Sequence, residues 1–455
     1  MSPNLRALLY LLAAAAFVVG LRRLSSPRTA RGGNAIAAAG MLVAVLVTLI
    51  DSDVSWWAIG AGVALGALVG AVAALRVKMT AMPQMVAVFN GLGGLASALV
   101  AGAEYLRSDA SALPTETMVS IIVSVLIGSV AFTGSLVAFA KLQDIMRGAP
   151  ITYPGQRAVN LAVALLALGL GTWAGITHDP LAFWVGGAVA LTLGILVVIP
   201  IGGADMPVVI TLLNSLSGLA AAATGFVIDN SALIIAGALV GASGIILTNL
   251  MCRAMNRSWA GVLFGAFGGT AAAAGPASGS ARAANPDDVA IALAYSSQVL
   301  IVPGYGLAVA QAQHALRALS ADLEKRGVRV AYGIHPVAGR MPGHMNVLLA
   351  EVDVPYRQLL DLEDSNALMA RTDVVLVVGA NDVVNPSARD DPGSAIYGMP
   401  IIEADRARST VIIKRSLAPG FAGIDNPLFY KEGTSMLFAD ARQALTDLAA
   451  SLAAV

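Results

Sequence analysis

The chain has 455 residues, of which 57% are hydrophobic and 12% charged, and its formal net charge at pH 7 is zero. An average soluble domain carries about 25% charged residues, so this composition excludes an ordinary soluble protein and favours one embedded in lipid. Residues 1–280 carry 13 Lys and Arg with 9 Asp and Glu, and the shorter remainder carries 15 with 19, which predicts a membrane part followed by a soluble part and gives no sign of nucleic-acid binding.

Nine apolar runs in the first part are long enough to cross a bilayer, since about 20 helical residues span its hydrocarbon core. They cover residues 5–20, 34–50, 55–75, 83–102, 118–140, 158–176, 181–201, 208–228 and 232–251. Arg22 and Arg23 follow the first run without a small-residue cleavage site, so we expect a membrane helix there and not a removed signal peptide. A tenth run, 259–274, is short and glycine-rich and is not counted.

Basic residues follow the first, third, fifth and ninth predicted helices, and the loops after the even-numbered helices are mainly acidic. By the positive-inside rule, the amino terminus faces outward and the soluble part lies in the cytoplasm, as expected for a multi-pass protein of a bacterial inner membrane. The basic residues are Arg22, Arg23, Arg28, Arg31, Arg76, Lys78, Lys141, Arg147, Arg157, Arg253 and Arg257, and Arg107 is the one exception.

The middle of each predicted span lacks Asp, Glu, Lys, Arg and His. The polar side chains at depth are Asn90 in the fourth span, Asn214, Ser215 and Ser217 in the eighth, and Ser243 in the ninth. Amides are costly in a bilayer unless they find hydrogen-bond partners. These groups therefore indicate either ties between helices or a hydrated path, and in the second case the chain supplies no ionisable carrier at mid-depth.

A segment rich in Gly, Pro, Ala and Ser over 274–288 predicts a flexible linker. We divide the chain into a helix bundle over 1–258, a linker over 259–288 and a soluble domain over 289–455. A helix is predicted over 289–295, capped by Asp287 or Asp288. Cys252 is the only cysteine, which excludes a disulfide or a cysteine metal cluster within the chain, and no metal site is predicted.

The soluble part alternates predicted strands (299–302, 328–334, 374–378 and 410–414) with predicted helices (307–325 and 439–452). This order predicts an α/β, Rossmann-like parallel sheet covered by helices, with ligands at the carboxyl ends of its strands. The whole chain is thus expected to be a polytopic α-helical membrane bundle followed by such a domain.

Gly304, Tyr305 and Gly306 form a turn between the first strand and a helix, where glycines let backbone N–H groups approach a phosphate. The alternative is a simple tight turn, because Val309 stands where a third glycine is usual. The second strand ends without the acid that binds the ribose of NAD. Lys414, Arg415 and Ser416 instead follow an apolar strand, a grouping suited to a phosphate, which favours NADP over NAD unless they are only a solvated strand end.

Several longer stretches are similar to the beta subunit of proton-translocating nicotinamide nucleotide transhydrogenases. They are PGYGLAVAQAQ (303–313), GIHPVAGRMPGHMNVLL (333–349), GANDVVNP (379–386), the 414–416 group, NPLFYKE (426–432) and, in the membrane part, 76–94, GADMPVVITLLNSLS (203–217) and MCRAMNRS (251–258). The resemblance implies hydride transfer from NADH to NADP⁺ coupled to proton movement into the cytoplasm. It also implies NADP(H) on this chain, NAD(H) on an alpha subunit that adds further membrane helices, and a dimer of such protomers.

The resemblance and the glycine turn together give the predicted cofactor residues. Lys414, Arg415 and Ser416 would hold the 2′-phosphate, and Arg340 would lie near the pyrophosphate. Asp382 would lie near the nicotinamide with a proton-linked role, no covalent catalyst being needed. The family binds this nucleotide reversed relative to an ordinary Rossmann domain. The full set is Gly304, Tyr305, Gly306, Val337, Ala338, Gly339, Arg340, Met341, Pro342, Gly379, Ala380, Asn381, Asp382, Val383, Gly398, Met399, Lys414, Arg415, Ser416, Leu417, Ala418, Pro419, Gly420, Phe421, Asp440 and Ala441.

The predicted proton path comprises Asn90, Asn214, Ser215 and Asp205. Some members of the family carry a histidine at the position of Asn90, and an amide cannot titrate, so the titrating group lies on a partner helix or water and amides complete the path. Two other functions stay open from the sequence: an NADPH-gated membrane transporter or channel, and an assembly subunit with a vestigial site.

Overall fold

The structure is a computed structural model that describes residues 2–24, 27–51, 56–77, 81–108, 113–143, 145–147, 150–256, 258–264, 279–341, 343–394, 396–420 and 422–455. The chain divides into two compact units, Met1–Asn249 and Leu250–Val455.

The first unit is a helix bundle. Across the described residues, nine helices are long and apolar enough to cross a membrane, which confirms the predicted number of spans. They are α1 (Pro3–Leu24), α2 (Pro27–Asp51), α3 (Trp56–Arg76), α4 (Met82–Arg107), α5 (Thr115–Leu142), α6 (Gln156–Thr177), α7 (Pro180–Val198), α8 (Met206–Val227) and α9 (Ser231–Ala254), the last ending in the second unit.

Helix α5 lies at the centre of the first unit and packs against α4, α6, α7 and α8. Small residues make this packing close: a Cβ atom on Gly94 of α4 would lie 2.8 Å from the backbone oxygen of Gly128 in α5. Helices in lipid associate through such close backbone approach, because hydrophobicity alone gives them no preference for one another.

The second unit contains a six-stranded sheet in the order β3-β2-β1-β4-β5-β6 with every pair parallel, which confirms the Rossmann-like prediction. The strands are β1 (Gln298–Pro303), β2 (Arg329–Gly333), β3 (Leu359–Leu360), β4 (Val374–Val378), β5 (Ser409–Ile413) and β6 (Thr434–Leu437). The helices are α10 (Trp259–Phe264), α11 (Pro286–Ala294), α12 (Tyr305–Val309), α13 (Gln313–Lys325), α14 (His344–Glu351), α15 (Leu362–Met369), α16 (Ser387–Asp390) and α17 (Ala441–Ala454).

Three local predictions were wrong. The sheet has two strands more than predicted, because β3 has two residues and β6 begins with Thr434 and Ser435, so neither shows an apolar run. The helix predicted over 307–325 is divided into α12 and α13 at a turn where Gln311 has φ 49°. Helix α11 is capped by Asn285, whose side chain accepts from the Asp288 N–H, because Pro286 takes the first helical position.

Candidate functional site

The predicted cofactor residues gather mainly at the carboxyl edge of the sheet. Strand order runs one way from β1 and the other way from β4, so the loops after these two strands meet at the point where such sheets bind ligands. The Gly304 N–H donates to the Val378 oxygen at 2.9 Å, and the Gly306 N–H donates to the Gly379 oxygen at 2.9 Å.

The glycine turn is a packing contact between these two loops. A Cβ atom on Gly306 would lie 2.7 Å from the Gly379 Cα, and Gly379 itself has φ 66°. The N–H groups of Gly304 and Gly306 are already bonded to the β4 loop, and α12 is only five residues long. The turn therefore holds two loops together through the N–H groups of both glycines.

His335 joins the loop after β2 to the segment around Gly398 and Met399. Its ring is 1% exposed, its Nδ1 accepts from the Val337 N–H, and its Nε2 lies 2.7 Å from the Pro400 oxygen. Burial lowers the pKa of this imidazole to about 4, so the ring is neutral at pH 7 with its proton on Nε2. Two of the predicted cofactor-binding segments are thereby connected by a side chain that the sequence did not single out.

Arg340 lies beside the glycine turn. Its Cζ is 4.6 Å from the centre of the Tyr305 ring, and its backbone N–H donates to Nδ1 of buried His344. Gly339 has φ 104°, and a Cβ atom there would lie 2.6 Å from His344 Nδ1. The stacked guanidinium places a fixed positive charge at the meeting point of the β1 and β4 loops. Ala338 is buried and Met341 half-buried in the same loop.

The loop after β4 presents an amide and a carboxylate. Asn381 accepts from the Asn426 side chain at 3.0 Å, and its own Nδ2 is buried without a partner in the described part of the chain. Asp382 accepts from the Ala422 N–H at 3.0 Å, and a Cβ atom on Gly420 would lie 2.5 Å from Asp382 Oδ1. Ala380 and Val383 are buried below them in the sheet's core.

The loop after β5 folds around Lys414. The ammonium donates to the backbone oxygens of Ser416 and Ala418 and lies 5.5 Å from the centre of the Phe429 ring. Partial burial lowers the pKa of Lys414, and the nearby carboxylates of Asp382 and Asp425 oppose this effect. Arg415, Ser416, Ala418 and Pro419 are exposed, whereas Leu417 packs partly against the core.

Four predicted residues have other structural partners. Asp440 caps α17 by accepting from the Arg442 N–H at 3.0 Å, and Ala441 is buried. The Gly398 N–H donates to the Ala388 oxygen, and Met399 packs in a small apolar cluster with Ala388. Pro342 and Phe421, also predicted, lie outside the described residues.

The donor set fits a phosphorylated dinucleotide. Two guanidinium groups, an ammonium and a hydroxyl are anion donors, and the unpaired Asn381 Nδ2 can donate to a carbonyl or amide oxygen. The described residues contain no group of three or more His, Cys, Asp or Glu that could hold a metal ion. Sequence reasoning missed Asn426, His335 and His344 as site residues, although all three lie within the quoted motifs.

The predicted proton-path residues lie on α8, on α4 and in the turn before α8. The Asn90 side chain donates to the Ser135 hydroxyl at 2.9 Å, and the Ser217 hydroxyl donates to the backbone oxygen of Asn90 at 3.2 Å. These bonds connect α4, α5 and α8. Ser215 is buried and donates to the Gly241 oxygen of α9. Half-buried Asn214 has no side-chain hydrogen bond to any residue the structure describes.

Asp205 ends a short 3₁₀ turn, Gly203–Asp205, directly before α8. It is 3% exposed, which is unusual for a carboxylate at a helix start. Among the other residues of the predicted path, the hydrogen bonds of Asn90 and Ser215 connect neighbouring helices, while the Asn214 side-chain amide has no partner among the described residues.

The chain is similar to known proteins over nearly its whole length. A family model described as "NAD(P) transhydrogenase beta subunit" matches residues 6–451. The NAD(P) transhydrogenase subunit beta of Rhodospirillum rubrum is 46% identical over 454 residues, which cover 97% of this chain and 98% of that protein. The subunit from a named strain of the same species matches equally well.

Proposed function

The chain belongs to the NAD(P) transhydrogenase beta subunit family, and from this premise we propose that its second unit binds NADP(H) and exchanges hydride with NAD(H) held on the alpha subunit. The chain is a multi-pass subunit of an oxidoreductase that translocates protons. A gated transporter has no support in the family match. When bound, NADP(H) supplies the hydride chemistry, and the residues of this chain bind and orient it.

The main support for NADP(H) over NAD(H) comes from the loop after β5. Arg415 and Ser416 are exposed directly beyond a buried strand, while the ammonium of Lys414 fixes the loop from inside. The end of β2 offers buried, neutral His335 where NAD-binding sheets place an acid. A 2′-phosphate would be attracted to the first region and would meet no carboxylate at the second.

Arg340 and Asp382 have different roles in this proposal. Arg340, stacked on Tyr305, would neutralise the pyrophosphate. Asp382 and the unpaired Asn381 amide would face the nicotinamide end and fix its orientation. Orientation is the main requirement, because direct hydride transfer needs two rings held in contact and no covalent intermediate.

Proton movement would need a titrating group that the mid-membrane residues of this chain do not supply. The nine described spans have no charged residue or histidine at mid-depth, so a titrating group on an alpha-subunit helix, or a chain of waters, would complete the path. The side-chain amide of Asn214 could take part in such a path, because it has no hydrogen-bond partner among the described residues.

The distribution of basic loops supports an outward amino terminus and a cytoplasmic second unit in a bacterial inner membrane. A dimer of protomers is proposed from the family alone.

Nucleotide preference tests the assignment of the β5 loop. In the complex with the alpha subunit, Arg415→Ala should raise KM for NADP⁺ at least tenfold, because a charge-assisted bond to phosphate contributes about 1.5–3 kcal/mol. Lys325→Ala, which removes an exposed charge from the end of α13, is the matched control and should change nothing. An unchanged KM in the Arg415 variant would remove this loop from the phosphate site.

A further inference from the structure

An open groove of about 470 Å³ lies at the opposite edge of the sheet from the cofactor site. Its floor includes the first residues of β1 and β2, Gln298 and Arg329, which are paired in register. Residues 357–360 border one side of the groove and α15 borders the other. β1 and β2 begin at this edge of the sheet. No residue that lines the groove belongs to the site described above.

The groove is strongly basic. Arg329, Arg357 and Arg371 are exposed and line it, and Asp364 is the one acidic residue in its lining. Within the described chain, the guanidinium groups of Arg357 and Arg371 have no hydrogen bond or ion pair, and Arg329 is attracted to Asp373. Three guanidinium groups that line one groove offer an anion several charge-assisted hydrogen-bond donors.

Two amide side chains in the same groove have atoms without a hydrogen-bond partner among the described residues. Gln298 is 6% exposed, and its side-chain amide bonds to none of the described residues. Gln358 donates to Glu324, but its own Oε1 is buried and has no partner in the described structure. These atoms can therefore still form hydrogen bonds, and those of Gln298 are within reach of a molecule in the groove.

We propose that this groove binds a small organic phosphate the size of a nucleoside monophosphate. The phosphate would lie between Arg329, Arg357 and Arg371, since guanidinium groups bind phosphate through paired N–H groups. The Gln298 and Gln358 amides would bond to the organic part, and the Asp364 carboxylate would accept from its hydroxyl. The volume falls within the range of about 300–1,000 Å³ typical of small-molecule sites.

The test uses the full chain in complex with its alpha subunit in nanodiscs. Saturating NAD⁺ and NADP⁺ fill both cofactor sites without turnover, and the fluorescent nucleotide mant-AMP is then titrated. We expect saturable binding of one mant-AMP per beta chain, weakened at least tenfold in R357Q/R371Q and also weakened in Q298L. The charge-removal control K325Q should bind as the parent does. Hydride transfer, measured on the same samples, reports the cofactor site separately and should be unchanged.

Three results would overturn the proposal. The first is the absence of saturable mant-AMP binding, or binding that R357Q/R371Q leaves intact. The second is displacement by inorganic phosphate as effective as by AMP, which would mean that no organic part is recognised. The third is weaker capture of the alpha subunit by R357Q/R371Q without any nucleotide binding, which would assign the groove to a protein partner.

Discussion

At the scale of single residues, His335 gives the second unit a pH-dependent stability. Its pKa is about 4 in the folded protein because the ring is buried, against about 6.5 when unfolded. Between pH 6.5 and pH 4, therefore, the unfolded chain binds a proton on His335 that the folded chain does not bind. The free energy of unfolding is therefore unaffected by this group well above pH 6.5, and it falls by about 3 kcal/mol as the pH is lowered to 4.

His335→Gln should accordingly flatten the dependence of stability on pH. The glutamine amide can still donate to the Pro400 oxygen but does not titrate. We expect the melting temperature of the parent protein to fall more between pH 7 and pH 5 than that of the variant, measured on the complex by calorimetry. Parallel curves for the two proteins would show that His335 is not buried as described.

Gly339 is a position where an added methyl group should disturb the site. It combines φ 104° with a close approach to His344, whose ring holds the Arg340 backbone. Gly339→Ala should weaken NADP(H) binding and destabilise the unit by about 1–3 kcal/mol. Gly343→Ala is the control, because Gly343 has φ 71° but an added Cβ would meet no atom within 4 Å in the part of the chain that the structure describes.

Only a shared backbone penalty would then appear in the Gly343 variant. NADP(H) affinity measured by calorimetry should separate the two. Equal losses of affinity would mean that the contact with His344 does not position Arg340.

At the scale of elements, the sequence predicted best where one physical signal dominated. β4 was predicted residue for residue, because Val374–Val378 is a run of apolar residues buried at every position. β3 and β6 could not be predicted, because β3 has only two residues, β6 begins with two polar residues, and the pairing of both edge strands depends on neighbours distant in sequence. The residues of the site were proposed from motif resemblance. Their mutual contacts, such as Arg340 with Tyr305, depend on tertiary structure.

Adjacent glycines in α4 should respond differently to substitution. Gly94 packs on the backbone of α5, whereas an added Cβ on Gly93 would have no atom of the described residues within 4 Å. Gly94→Val should separate the two helices and lower the thermal stability of the solubilised complex, because their close approach is lost. Gly93→Val should leave this stability near the parent value. Fluorescence-detected size exclusion after heating distinguishes them, and equal melting would exclude the α4–α5 contact as described.

At the scale of the whole molecule, the proposed function requires that events in the membrane bias nucleotide affinity. Such coupling exists only if the states linked to protonation differ in their affinities for NADP⁺ and NADPH. Asp205, a buried carboxylate directly before α8, is our candidate for this link.

Asp205→Asn should keep hydride transfer between bound nucleotides but lose proton uptake, because the amide cannot exchange a proton. The ratio of protons moved to hydrides transferred, recorded in reconstituted vesicles, measures this directly. Unchanged pumping would remove Asp205 from the scheme.

The central claim is tested most directly in inverted vesicles that contain this chain and its alpha subunit. Reduction of an NADP⁺ analogue by NADH is followed while the lumenal pH is recorded. We predict that an acidic lumen accelerates hydride transfer, that transfer raises the lumenal pH, and that Arg415→Ala weakens both effects when the NADP⁺ analogue is below saturation. NADPH binding without hydride transfer, with the alpha subunit present, would contradict the account.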